Sequence, residues 1–226
     1  MLITIDNLFS KEESENILQK LLSENWQEGK LTAGGVAAQV KQNLQLDDTS
    51  ATATEVRSNI FHYLKQHPTF ISAALPNKIF PPKFNCYRSG GHYGLHVDNA
   101  MMTLPDGGYM RTDISATLFF SSPDTYDGGE LMIETQYGAQ AVKLEAGSMV
   151  LYPSSSLHEV RPVTRGNRVC AFFWIQSLVR ESSHREQLYE LDQSIQSLTL
   201  ERGAQDHNVA RLTGIYHNLL RSRGET

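Results

Sequence analysis

From Lys78 onward the chain breaks into short runs of alternating or β-branched residues separated by Gly, Pro, Asp and Ser clusters, and this pattern narrows the fold more than any other feature. It predicts strands near 82–88, 92–98, 111–121, 129–135, 139–143, 148–152, 157–163 and 168–177. Short strands at such spacing fit a two-sheet jelly roll. The flanks carry a different period. A short strand over 2–6 precedes the capping box Ser10-Lys11-Glu12-Glu13, which opens a helix with Ile17, Leu18, Leu21 and Leu22 as its apolar stripe. Val56, Ile60, Phe61 and Leu64 recur at helical spacing until His67-Pro68 interrupts them, and a short helix follows through Ala74. Residues 30–53 have weak periodicity and suit either a hairpin or a loop.

After Ser177 the helical period returns. A second capping box, Ser183-His184-Arg185-Glu186, precedes Leu188, Leu191, Ile195 and Leu198, and Val209, Leu212, Tyr216 and Leu219 mark a last helix beyond the turn near Arg202-Gly203. The expected organisation is α+β: a mainly helical flank over 1–77, a β domain over 78–178 and a helical extension over 179–226. Such an extension packs on its own barrel or joins subunits into a homo-oligomer, and amphipathic stripes do not distinguish the two.

Composition excludes several classes of function. With 20 Lys and Arg against 25 Asp and Glu, the net charge of −5 gives no general pull toward nucleic acid or anionic lipid. The longest apolar runs, such as 169–175, are far short of the roughly 20 residues that span a bilayer. The N-terminus has no secretory signal pattern, so the cytoplasm is the expected compartment. Cys86 and Cys170 are expected to be buried free thiols rather than a bridge.

The chemistry concentrates in Tyr87-Arg88-Ser89-Gly90-Gly91-His92-Tyr93-Gly94-Leu95-His96-Val97-Asp98. Side chains alternate along a strand, so His96 and Asp98 point to one side, with His92 on that side too. His158, within Leu157-His158-Glu159-Val160, is the candidate third ligand. Two His and one carboxylate form the facial triad of non-haem Fe(II) oxygenases, which leaves three positions open. Arg168 opens the strand Arg168-Val169-Cys170-Ala171-Phe172-Phe173-Trp174, ten residues after His158. Pointed inward, its fork would need an anionic partner, and a bound dicarboxylate suits it. The segment Ser89-Gly90-Gly91-His92-Tyr93-Gly94 is no phosphate loop, because no helix follows. Residues 99–112 read equally as a substrate lid and as an ordinary connection.

His96-x-Asp98, His158 and Arg168, preceded by Tyr87-x-x-Gly90-x-x-Tyr93-x-x-His96, resemble the Fe(II) and 2-oxoglutarate-dependent dioxygenases of the prolyl/lysyl hydroxylase type. Asp127-Gly128-Gly129-Glu130-Leu131 and Pro162-Val163-Thr164-x-Gly166-x-Arg168 extend the likeness, which covers about 78–178. With both helical flanks included, the chain is similar to the bacterial PKHD-type hydroxylases. The resemblance implies a double-stranded β-helix of the jelly-roll, cupin-like kind. It also implies Fe(II) held by His96, Asp98 and His158. The distal carboxylate of 2-oxoglutarate would lie on Arg168, with Tyr87 as a second donor. Related prolyl hydroxylases often add a tyrosine from the strand matching 117–121, where this chain has Leu118, Phe119 and Phe120, so Thr117 and Ser115 stand as substitutes. The implied activity consumes O₂ and 2-oxoglutarate, yields succinate and CO₂, hydroxylates a peptide or small-molecule substrate, and draws on L-ascorbate to restore oxidised iron. Two other functions compete: a non-catalytic jelly-roll module that binds metal and 2-oxoglutarate as ligands or as a sensor, and a zinc hydrolase, which leaves Arg168 and the Tyr87 motif without a purpose.

Overall fold

A computed structural model describes residues 1–29 and 40–225 of the chain. The N-terminal part comprises β1 (Ile3–Ile5), α1 (Lys11–Leu22), β2 (Trp26–Glu28), β3 (Lys41–Gln42), β4 (Leu44–Leu46), α2 (Ala51–Leu64) and α3 (Pro68–Ala74). Next come β5 (Pro76–Ile79), β6 (Lys83–Tyr87), β7 (His92–His96), β8 (Met101–Thr103), β9 (Tyr109–Arg111) and β10 (Ile114–Phe119). The barrel is completed by β11 (Asp127–Gly128), β12 (Leu131–Thr135), β13 (Gly138–Val142), β14 (Met149–Pro153), β15 (His158–Val160), β16 (Val163–Arg165) and β17 (Arg168–Ser177), and α4 (Ser182–Arg202) and α5 (His207–Arg223) end the chain.

Two antiparallel sheets form a jelly roll. The larger runs β1-β14-β10-β17-β6-β4-β2, with β5 also on β17, and the smaller runs β13-β12-β15-β7-β3. Alternation along β17 explains how one strand serves two environments. Val169, Ala171, Phe173 and Ile175 face outward into a core shared with Ile17, Leu21, Val56, Ile60 and Leu64 of the N-terminal helices. Arg168, Cys170, Phe172 and Trp174 line a cavity between the sheets. Each fully buried Leu, Ile or Phe in that outer core contributes about 1.5–3 kcal/mol, so the helices are integral to the barrel.

Each expected strand is present, and the Ser10 capping box forms: Ser10 Oγ accepts from Glu13 N at 3.2 Å, and Ser10 N donates to Glu13 Oε2 at 2.8 Å. The structure sharpens three expectations. The N-terminal flank is less helical than its periodicity suggests, because it supplies β1, β2 and β4 to the larger sheet and β3 to the smaller one. Of the unassigned stretch 30–53, residues 30–39 lie outside the described residues; the rest holds β3, β4 and the start of α2. Residues 99–112, read equally as a lid and as a connection, hold the paired strands β8 and β9.

The second capping box does not form. α4 begins two residues earlier than that box implies, at Ser182 with Glu181 in the cap position and no side-chain cap. Buried Arg185 fixes this end instead, donating from Nη1 to Val179 O at 2.8 Å and Arg180 O at 2.6 Å. The extension packs on its own barrel: Leu188 joins Leu75 and Val179 in a small core, and Ser72 Oγ donates to Asp192 Oδ2 at 2.6 Å. Both cysteines are free and buried. No helix among the described residues is long and apolar enough to cross a membrane.

Candidate active site

The smaller sheet brings together residues that are far apart in sequence. In the β15/β7 pair His158 stands opposite His96, and a bulge follows before Val160. Asp98 lies two residues beyond His96, just past the end of β7. One potential ligand atom from each of His96, Asp98 and His158 falls within 4.8 Å of the others, close enough to converge on one ion. His158 Nε2 is 3.8 Å from Asp98 Oδ2.

The backbone sets the tautomers. His96 Nδ1 donates to Gly94 O at 2.7 Å and His158 Nδ1 donates to Ser156 O at 3.0 Å. A carbonyl only accepts, so the proton sits on Nδ1 and each Nε2 presents a lone pair. Burial, and then the neighbouring His158, pull His96 down to about 4, which keeps its ring neutral and ready to ligate at physiological pH. Asp98 is steered by Ser115, whose Oγ donates to Oδ2 at 2.5 Å and also meets Ser154 Oγ at 2.7 Å. Tyr93 stacks on His96 with centroids 3.6 Å apart. His92 stands apart: its Nδ1 meets Gly90 O at 3.0 Å, and it joins neither the triad nor the cavity wall.

Arg168 lines the same cavity and is 1% exposed. Nη1 donates to Cys170 Sγ at 3.1 Å, while Nε and Nη2 have no partner. Its charge centre lies 5.2 Å from the Tyr87 ring and 5.0 Å from the Phe119 ring. No carboxylate pairs with it among the described residues. Leaving a buried ion unpaired costs several kcal/mol, so two free N–H groups in a cavity constitute a site for an anion. The cavity therefore has three side chains that could hold a metal ion at one place and an unpaired guanidinium at another.

Comparison with known proteins gives this arrangement its context. Residues 82–176 match the 2OG-Fe(II) oxygenase superfamily, and residues 183–225 match the PKHD-type hydroxylase C-terminal domain. A PKHD-type hydroxylase of Teredinibacter turnerae is 58% identical over 221 residues, covering 98% of each chain. Another, from Pseudoalteromonas atlantica, is 56% identical over 223 residues with the same coverage. The chain belongs to the PKHD-type hydroxylases. Among solved structures, a Pseudomonas putida prolyl-4-hydroxylase matches at TM-score 0.55 and 16% identity, covering 78% of this chain and 92% of that one. HygX from Streptomyces hygroscopicus, solved with nickel and 2-oxoglutarate bound, matches at TM-score 0.52 and 13% identity, covering 80% of this chain and 84% of that one. These two share the fold. The hydroxylase is thus an Fe(II)- and 2-oxoglutarate-dependent oxygenase, as its motifs led us to expect, rather than a non-catalytic module.

Further residues of the hydroxylase emerge only from its geometry. Ser115 does not stand in for a tyrosine at Arg168; it is committed to Asp98. Tyr126, which periodicity did not single out, lies beside Arg168 with its buried hydroxyl unpartnered. The link between them is Gly129, at φ +70°: a Cβ there would be 3.0 Å from both Arg168 Cδ and Tyr126 Cε2. The Asp127-Gly128-Gly129 motif therefore turns through two glycines at positive φ, and the second also leaves room for the arginine. Burial pushes the Tyr126 hydroxyl up to about 12 and raises Tyr87 further, so both stay protonated donors. Lys41 also lines the cavity, a residue no motif marked.

Proposed function

We propose that His96, Asp98 and His158 hold Fe(II), and that Arg168 holds the distal carboxylate of 2-oxoglutarate, with the Tyr87 and Tyr126 hydroxyls as further donors. The observation that carries this reading is the unpaired fork of Arg168 in the cavity that also contains the triad. Two neutral imidazoles and one carboxylate leave a divalent ion a net positive charge, which suits it to a keto acid. Bound iron supplies the activation of O₂, with 2-oxoglutarate as the electron source, so that succinate, CO₂ and a hydroxylated peptide or small molecule leave. The chain's own residues orient and exclude. Ser115 fixes the Asp98 carboxylate, Gly94 O and Ser156 O fix the two imidazoles, and Arg168 fixes the far end of the cosubstrate. Phe172, Trp174, Val97 and Met102 make the wall where substrate would displace water.

In this reading residues 78–178 form the catalytic unit, 1–77 and 179–226 brace it, and L-ascorbate returns oxidised iron to Fe(II). The two buried free thiols support a cytoplasmic setting. Homo-oligomerisation, where it occurs, is assigned to the outer side of α4 and α5, where Leu200 is 90% and Ile215 51% exposed. Succinate release tests the activity. Iron-loaded protein should convert 2-oxoglutarate to succinate in an O₂-dependent manner, and His158→Ala should abolish the conversion. Folded, iron-loaded protein that forms no succinate above the iron-free rate would contradict the reading.

A further inference from the structure

Lys41 is 4% exposed, and it shares the cavity with the metal triad. β3 pairs it with Tyr93 of β7, and its ammonium sits 5.4 Å from the Tyr93 ring and 5.9 Å from the Phe172 ring. Tyr93 in turn stacks on His96, so Lys41 is one aromatic ring away from a metal ligand. The charged and titratable groups around it are Tyr93 and His96 of β7 and Lys83 of β6. Lys83 shares Asp48 with Arg57, so its own charge is only partly compensated and still acts on Lys41. Asp98 is the only acid among the described residues of the cavity wall, and it is engaged by Ser115. No carboxylate pairs with Lys41 among the described residues, and residues 30–39 contain no Asp or Glu.

Two aromatic faces are a partial substitute for water or a counter-ion. Cation–π contacts offset only part of the cost of burying an ammonium. Burial, aided by the Lys83 charge, accordingly pulls Lys41 down to about 8. It still carries its proton at neutral pH.

Lys41 is not at the cosubstrate's anchored end. Arg168 and Phe172 lie on the same face of β17, four residues apart, which is about 13 Å of strand. Charge balance leads to the same conclusion. Bound iron and Arg168 would be compensated by Asp98 and the doubly charged 2-oxoglutarate, and Lys83 has a share of Asp48, which leaves Lys41 without a counter-charge of its own. A lone ammonium without a guanidinium fork matches a single negative charge.

We propose that Lys41 receives a carboxylate of the substrate, while Phe172 and Trp174 hold the substrate's apolar part. Lys41 is thereby the specificity-determining residue of a hydroxylase for carboxylated substrates. The inference deepens the oxygenase reading and rests on it for the identity of the neighbouring metal.

Matched probes test it without knowledge of the natural substrate. Benzoate, phenylacetate and N-acetylphenylalanine, each beside its own amide, are titrated calorimetrically and anaerobically into protein loaded with Fe(II) and 2-oxoglutarate. The best acid should bind at least about tenfold more tightly than its amide, as one charge-assisted hydrogen bond allows. That preference should vanish in Lys41→Met and Lys41→Gln and persist in Lys41→Arg, with 2-oxoglutarate binding unchanged in all three. Absence of an acid preference in the wild type, or its survival in both Lys41→Met and Lys41→Gln, overturns the proposal. So does a loss of 2-oxoglutarate binding in those variants equal to that of Arg168→Ala, or tighter binding of phenyl phosphate than of every carboxylate. Failure of the oxygenase reading itself has a different signature: iron-loaded wild type that does not bind 2-oxoglutarate, with the acid–amide comparison still readable.

Discussion

Arg168 is the residue whose resting state is hardest to satisfy without a ligand. Its guanidinium is wholly buried, one nitrogen meets a thiol, and two have no partner. Arg168→Ala should therefore weaken 2-oxoglutarate binding by roughly 10- to 150-fold, equivalent to about 1.5–3 kcal/mol of charge-assisted hydrogen bonding, and leave Fe(II) affinity unchanged. Parallel calorimetric titrations would check this, and equal losses for both ligands would refute the division of labour. Ser115 acts at the other end of the cavity through its 2.5 Å bond to Asp98. Removing a partner that orients a metal ligand typically costs about 10- to 100-fold in metal affinity, and Ser115→Ala should fall in that range with the fold intact. Unchanged Fe(II) affinity would mean that the backbone alone positions Asp98.

At the scale of elements, the site is made by strand pairing. β7 and β15 bring His96 and His158 opposite each other, and β17 presents Arg168 from the facing sheet. The turn at Asp127-Gly128-Gly129 completes it by admitting the arginine. Gly129→Ala should cost about 1–2 kcal/mol for the left-handed backbone and a further 1–3 kcal/mol for overlap with Val163 first and with Arg168 and Tyr126 beside it. It should also weaken 2-oxoglutarate binding, and a urea melt beside a ligand titration would show both. Retained stability and affinity would mean that the turn relaxes without disturbing the arginine. The grouping of His96, Asp98 and His158 and the inward Arg168 could be anticipated from the sequence because His96-x-Asp98, His158 and Arg168 match a known motif in order and lie on or beside strands. Lys41 could not, since a two-residue strand has no periodicity and its setting depends on pairing with Tyr93, fifty-two positions away. Tyr126 was hidden for a similar reason, as its contact with Arg168 passes through the space a glycine leaves. The Ser183 signature misled because tertiary burial of Arg185 determined where the helix begins.

At the scale of the whole molecule, the helices on the outer face give the barrel its stability and the cavity concentrates the cost. Lys41 makes that cost measurable. Its folded value of about 8 lies below its ordinary 10.5, so between those values the unfolded chain holds the extra proton and stability rises with pH. Below 8 the full penalty is present, on the order of 3 kcal/mol. Lys41→Met should be more stable than the wild type at pH 7 by about 1–3 kcal/mol, and the gap should close as pH passes from 8 to 10.5. Urea midpoints at the two ends of that window would measure it. A gap that does not vary with pH would mean that the ammonium is not buried as described.

The most direct test of the site is an anaerobic optical titration of the apo-protein, first with Fe(II) and then with 2-oxoglutarate. Chelation of the keto acid by iron gives a weak visible charge-transfer band and needs no substrate. The expected result is a saturable band that is absent in His96→Ala and requires much more 2-oxoglutarate in Arg168→Ala. Folded, iron-loaded wild type that gives no band would contradict the assignment of the triad and Arg168 to one iron and one cosubstrate.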